Sequence, residues 1–240
     1  MSLRLHVDSV LAPGLELELP SGPARHVQVR RLQPGDALTL FDGRGGEWAA
    51  QVLQMGRQQV RVRVGAHDPV TREATLAVTL ALGMPANERM DWLVEKATEL
   101  GVAAIRPLLT ERSVLRLAGE RAERKRAHWQ AIAVAAAEQS GRTRVPLLYP
   151  VRALADADAL PRPMQGWVLS FAGDVAGPAA LAGAGAAAGE LLLLSGPEGG
   201  LTPAEEARAL GLGLRPLSLG PRVLRAETAP LVALAWLGTA

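Results

Sequence analysis

The chain of 240 residues contains no cysteine, and among its 26 cationic residues only Lys96 and Lys125 are lysines. Without a thiol there can be no disulfide, no thiolate metal site and no cysteine nucleophile, and the composition suits a reducing cytoplasm, the expected location. Four histidines, His6, His26, His67 and His128, are scattered without ligand spacing, so no metal centre is expected. Long apolar runs are also missing. The longest, around 131–137 and 231–237, fall well short of the roughly 20 residues a membrane helix needs. Arg4, His6 and Asp8 interrupt the apolar residues at the start, so neither a membrane span nor a signal peptide is expected. A strong charge of either sign is absent too: the formal net charge is +2. The 24 arginines leave two readings open, forks for phosphate and base edges or the codon composition of a GC-rich genome.

What is present divides into two grammars. In the first seventy or so residues the pattern is that of short strands. QVRVRV, from Gln59 to Val64, alternates so that Val60, Val62 and Val64 face a core while Gln59, Arg61 and Arg63 face out. DALTLFDGRGGEWAAQV, from Asp36 to Val52, offers Leu38, Leu40, Trp48, Ala50 and Val52 as inward positions. Its Asp42-Gly43 and Gly45-Gly46 pairs suit a hairpin connection. Several short strands in so little chain suggest a small barrel. RHVQVRRLQPGD predicts a short helix over 25–36 ended by Pro34-Gly35. Arg25, Arg30, Arg31 and Arg57, with Arg61 and Arg63, would form a basic surface able to follow a phosphate backbone, or merely a solvated face. The polar AHDPVTREA stretch then places a domain boundary near Arg72, dividing the chain into 1–72 and 73–240.

From Thr75 apolar runs of strand length alternate with helical patterns, which predicts an α/β layer domain with a parallel sheet. Asn87 is the expected N-cap of a helix burying Met90, Leu93, Val94, Ala97 and Leu100 and stopped at Gly101. A later helix would bury Trp129, Ile132, Ala133, Ala136 and Ala137. Further strands are expected at 167–171, 191–195 and 214–219, with turn-rich connections at 155–166 and 181–190.

Two strands run into glycine turns. In LLLLSGPEGGLTP the strand Leu191–Leu194 meets Gly196, Gly199 and Gly200, and Thr202-Pro203-Ala204-Glu205 has the form of a capping box with proline at the first helical position. LSLGPRVLRAETAP repeats the arrangement at Gly220-Pro221, with Pro230 in the first turn of a last helix. In a parallel sheet, ligands collect where strands end and helices begin. A phosphate cradle is excluded on specifics, since neither G-x-x-x-x-G-K-[ST] nor G-x-G-x-x-G occurs and Glu198 would repel a phosphate. A carboxylate there suits a cation, a base presenting donors, or only the helix dipole.

GPEGGLT at 196–202, LGPRVLRAETA at 219–229, EKATELGV at 95–102, TERSV at 110–114 and EQSGR at 138–142 resemble the RsmE-type 16S ribosomal RNA uridine-N3 methyltransferases of the SPOUT superfamily. HVQVRRLQPGDALTLFDGRGGE at 26–47 is similar to that family's N-terminal segment, so the resemblance spans nearly the whole chain in order. It implies a PUA-like β-barrel, then a SPOUT α/β methyltransferase domain whose C-terminal segment threads a trefoil knot. It also implies a homodimer acting on 16S ribosomal RNA or the small ribosomal subunit, with S-adenosylmethionine as cofactor. Gly196, Gly199 and Gly200 would admit the cofactor against bare backbone, and Leu194, Leu219, Gly220 and Leu224 would line its adenine side. Arg225, Glu227 and Glu198 are the catalytic candidates: Arg225 for charge on the uracil oxygens, one carboxylate as proton acceptor. Arg25, Arg30, Arg31, Arg61, Arg63, Arg112 and Arg142 are the candidates for RNA contact, and Arg112, Glu138, Gln139 and Arg142 could reach the catalytic site from another segment or the partner subunit. A structural role stays open for Glu227, Arg222, Arg225 and Arg142. Two other functions are compatible with parts of the pattern: a ribose 2'-O-methyltransferase of the same superfamily, and an RNA-binding protein without catalysis.

Overall fold

The computed structural model describes residues 2–57, 59–86, 88–156, 158–160, 165–171, 176–177, 179–181 and 189–238. It forms two compact units: residues 1–73 with 137–145, and residues 74–136 with 146–240.

The first unit holds a five-stranded sheet in the order β1-β3-β4-β5-β2. Its strands are β1 (Arg4–His6), β2 (Glu16–Glu18), β3 (Ala37–Phe41), β4 (Glu47–Met55) and β5 (Val60–Asp68). β1 pairs parallel with β3 and the remaining pairs are antiparallel. The alternation in β5 is realised: Val60, Val62 and Val64 are buried while Arg61 and Arg63 are exposed. These valines join Leu5, Leu38, Leu40 and Val52 in one apolar core, with Trp48 packed partly against it. Gly43, Gly45 and Gly46 all take positive φ in the β3–β4 connection, a conformation that costs an L side chain energy.

Helix α1 covers Ser21–Val29, not 25–36. It starts earlier because Pro23 fits the first turn, where the missing N–H is not needed. It stops earlier because Arg31 takes φ +57° and the Arg31 and Leu32 amides close back on Gln28 and Val27. The pattern carried no signal for that stop, since arginine is a good helix former and rarely closes a helix in the left-handed region.

The second unit contains β6 (Leu76–Gly83), α2 (Glu88–Glu99), β7 (Ala104–Leu109), α3 (Gly119–Ser140), β8 (Leu147–Leu148) and β9 (Arg152–Ala153). After them come β10 (Gln165–Leu169), β11 (Gly189–Ser195), α4 (Pro203–Gly211), β12 (Arg215–Leu217) and α5 (Thr228–Gly238). The last turn of α3 belongs with the first unit. The sheet is parallel throughout, in the order β12-β10-β11-β6-β7-β8, with β9 against β7. β11 lies between β6 and β10, covered on both faces, and Leu191–Leu194 are at most 1 % exposed. At the sheet edge β12 tolerates Pro216, whose missing N–H cannot serve a second neighbour.

In α2, Met90, Leu93, Val94 and Ala97 are buried as expected, but the fifth position is Thr98, whose hydroxyl donates to the Val94 carbonyl; Leu100 is exposed. Gly101 closes the helix at φ +91°, while the Asn87 cap lies outside the described residues. Trp129, Ala133, Ala136 and Ala137 are buried in α3 and Ile132 is half-buried. Much of the turn-rich connections lies outside the described residues as well. Among the described residues no helix is long and apolar enough to cross a membrane, and no cluster of potential metal ligands occurs.

Candidate active site

Three parallel strands, β10, β11 and β12, and the glycine turns that follow the last two bound a cavity of about 510 Å3 in the second unit. The position follows from strand polarity: side chains and amides left unpaired at carboxyl ends are free to face a ligand.

The first turn leaves β11 at Ser195. Gly200 donates its N–H to the Pro197 carbonyl at 2.8 Å and takes φ +68°, where a side chain would be strained. Its α-carbon faces open space at the cavity wall, whereas a Cβ on Gly196 would lie 2.8 Å from the Leu201 amide nitrogen and 2.9 Å from the Gly200 carbonyl carbon. From outside, Gly83 at the end of β6 packs on Pro197, and Arg112 Nη1 donates to the Gly199 carbonyl at 2.9 Å. Thr202 and Glu205 form the expected capping box, and Glu205 also accepts the Glu111 N–H at 2.8 Å. The turn is thereby held at both ends.

The second turn follows β12. Gly220 takes φ +107° beside open space, and its N–H donates to Ser218 Oγ at 3.2 Å. Leu219, Arg222, Val223, Leu224 and Arg225 line the cavity, and Val223 is 84 % exposed. The Thr228 and Ala229 amides donate to the Arg225 carbonyl and start α5, with Pro230 buried in its first turn.

Gly196, Glu198, Gly200, Leu219, Leu224 and Arg225 are brought to one cavity. The other candidates lie apart from its lining. Leu194 is core, Gly199 rests on Arg112, and Gly220 is in the turn behind Leu219. Glu227 is buried, with Oε2 hydrogen-bonded to nothing among the described residues. The wall also contains residues that the linear reading passed over: Arg89 from α2, Ser170 and Phe171 after β10, and Glu206 from α4. Ser170 Oγ donates to Glu206. The pattern predicts a strand at 167–171, but β10 runs from Gln165 to Leu169, two residues earlier and into the expected 155–166 connection, and this shift is what puts Ser170 and Phe171 beyond its carboxyl end; nothing local points to Arg89.

Arg89 links the two turns. Its Nη1 donates to Glu198 Oε1 at 3.1 Å, and its Nε lies 3.8 Å from Glu227 Oε1. Glu198 Oε1 also accepts the Ala86 N–H at 3.0 Å. Burial pushes the Glu198 carboxyl up, but the Ala86 amide, its own amide and Arg89 outweigh burial and hold it below the usual glutamate range. Arg222 and Arg225 form no ion pair among the described residues, so their charge is available to the cavity.

The arginines proposed for RNA contact fall into three groups. Arg25, Arg30 and Arg31, on and just after α1, are exposed and form no ion pair among the described residues. Arg57 joins them, because Gln28 donates to the Gly56 and Arg57 carbonyls at 3.1 Å. Arg61 and Arg63 are exposed but both bond Glu16. Arg142 does not present its guanidinium to solvent: the residue is 5 % exposed and its fork closes on Glu73, at 2.9 Å from Nε and 2.5 Å from Nη2. Glu73 lies 69 positions earlier, so no local pattern could announce the pairing. Glu138 is likewise structural, accepting the His6 N–H at 2.8 Å while burial raises its pKa.

The parallel α/β unit with its cavity beside two glycine turns and the small sheet unit before it both match family models of RNA-modifying proteins. The family model described as RNA methyltransferase domain matches residues 72–238, and that described as RNA methyltransferase PUA domain matches 24–65. Ribosomal RNA small subunit methyltransferase E of Bacillus subtilis is 33% identical over 87% of this chain and 83% of its own length. The Synechocystis protein of the same name is 38% identical over 87% of this chain and 67% of its own. The chain belongs to the ribosomal RNA small subunit methyltransferase E family. A Neisseria gonorrhoeae member solved bound to S-adenosyl methionine superposes with a TM-score of 0.88 at 32% identity, covering 100% of this chain and 98% of that one. A Legionella pneumophila methyltransferase solved with the cofactor SAM gives 0.92 at 34% identity, covering 100% and 98%.

Proposed function

We propose that the protein transfers the methyl group of S-adenosylmethionine to N3 of a uridine in 16S ribosomal RNA, in the cytoplasm. The observation that carries this reading is the single cavity bounded by both glycine turns, with an ionised carboxylate, Glu198, and an unpaired guanidinium, Arg225, on its wall. The cavity fits the cofactor chemically. Leu219, Leu224 and the backbone at Gly196 and Gly200 offer an apolar, closely approachable wall, and Glu198 and Glu206 offer negative charge to a cation. Bound there, the cofactor supplies a methyl group already activated by a positive sulfur.

The chain's own task is to orient the uracil and help remove the N3 proton. Arg225 stabilises negative charge on the uracil oxygens. Glu198 is already engaged by the Ala86 amide and Arg89, which suits a fixed charge better than a proton acceptor. Glu227 has an oxygen without a partner among the described residues but lies apart from the cavity lining, so the choice of acceptor between the two carboxylates stays open. RNA contact by Arg25, Arg30, Arg31 and Arg57 is supported by their exposure and by their forming no ion pair among the described residues, whereas Arg61 and Arg63 both pair with Glu16. Arg112 serves through the Gly199 carbonyl.

The same reading includes the trefoil knot, consistent with β11 inserting between β6 and β10 before the chain leaves for β12. It also includes a homodimer. Trp92 on α2 and Trp236 on α5 are 45% and 48% exposed on two helices that pack together, an apolar surface suited to a second copy. Calorimetry with S-adenosylmethionine tests the site. Mass analysis of ribosomal RNA from a deletion strain tests the reaction: loss of an N3 base methyl supports it, and loss of a ribose methyl or no loss overturns it.

A further inference from the structure

Arg89 stands on the first turn of α2, over 100 positions from the turns it touches. Its side chain is 42 % exposed, yet it meets two carboxylates that are 27 % and 12 % exposed, one from each glycine turn. Different nitrogens serve the two: Nη1 donates to Glu198, while Nε faces Glu227. A planar guanidinium presents donors on separate nitrogens in a fixed fork, so it can meet two acids that approach from different directions. Glu198 is further tied to α2's own approach by the Ala86 N–H. No other ionic link joins the two turns among the described residues.

We propose that Arg89 is a positioning residue that clamps the two glycine turns through Glu198 and Glu227, so that the cavity wall is organised before the methyl donor enters. This rests on the reading of the cavity as a methyl-donor site. The clamp lowers the cost of ordering the second turn, whose Val223 is 84 % exposed.

Arg89→Ala and Arg89→Lys in the full-length protein test it, by amide hydrogen exchange without ligand and by calorimetry with S-adenosylmethionine. In R89A the Ala86 and Thr228 amides are expected to exchange about tenfold faster, the first bonded to Glu198 and the second at the end of the second turn. The donor dissociation constant should rise about tenfold. R89K, which keeps the charge but not the fork, should recover part of both. In turnover, the KM for the donor should rise while the KM for RNA stays within twofold. Unchanged exchange at both amides, or faster exchange with donor affinity within twofold of wild type, overturns the clamp. Failure of the wild-type protein to bind the donor at millimolar concentration overturns the cavity's assignment instead, and the exchange comparison still decides whether Arg89 joins the turns.

Discussion

Around Gly196 the chain is crowded from inside its own turn, whereas Gly220 looks onto open space. Both glycines follow a parallel strand and both belong to turns that reach the cavity, so a sequence motif treats them alike. Their surroundings do not. The first turn is packed by Gly83 and Arg112, closed by an internal hydrogen bond and ended by a capping box. The second has a serine bridging its backbone, an exposed Val223, and a link to the rest of the wall through Glu227 and Arg89. One turn is fixed mainly by close packing, and the other is held mainly by polar contacts. A site that admits a large ligand needs some segment of the second kind.

Substitutions can break or sharpen that contrast. The largest effect is expected from Gly196→Ala and Gly83→Ala, whose new methyl groups would meet backbone that cannot move aside cheaply, at 2.8 Å from Leu201 N and 2.7 Å from Pro197 N. Each should cost about 1–3 kcal/mol by denaturant unfolding and abolish donor binding by calorimetry. Gly220→Ala meets no atom within 4 Å but inherits φ +107°, so it should cost about 1 kcal/mol and weaken donor binding only severalfold. A cost equal to that of Gly196→Ala would erase the distinction. Thr202→Ala removes the cap that ends the first turn and should cost about 1 kcal/mol while leaving most donor affinity.

The smallest effect concerns pH. The folded pKa of Glu198 is depressed, so its contribution to stability is present above the unfolded value and lost as pH falls through the folded one. Urea unfolding should therefore show wild type losing more stability on acidification than Glu198→Gln. An identical loss would mean that the first turn gains nothing from Arg89 and the Ala86 amide.

Legibility followed the range of the interaction. The β5 alternation, the Leu191–Leu194 strand, the Thr202–Glu205 cap, the Gly101 stop and Pro230 in the last helix's first turn depend on neighbours a few residues away, and the pattern carries them. The early end of α1 depends on one arginine adopting a left-handed conformation that its type disfavours. Arg61 and Arg63 looked free until β2 brought Glu16 across from them, and Arg142 looked accessible until Glu73 was placed beside it. In a single string nothing separates an arginine that will find an acid from one that will not.

By itself, the sequence determined which segments become buried parallel strands, where glycine and proline interrupt them, and that both interruptions precede helices, because period, turn chemistry and capping act over a few residues. Tertiary structure alone decided which charges remain available. Ion pairs between residues tens to a hundred positions apart form only where strand order and helix packing bring them within a few ångströms, and so Arg89 was drawn to the cavity wall while Arg142 was taken out of solvent.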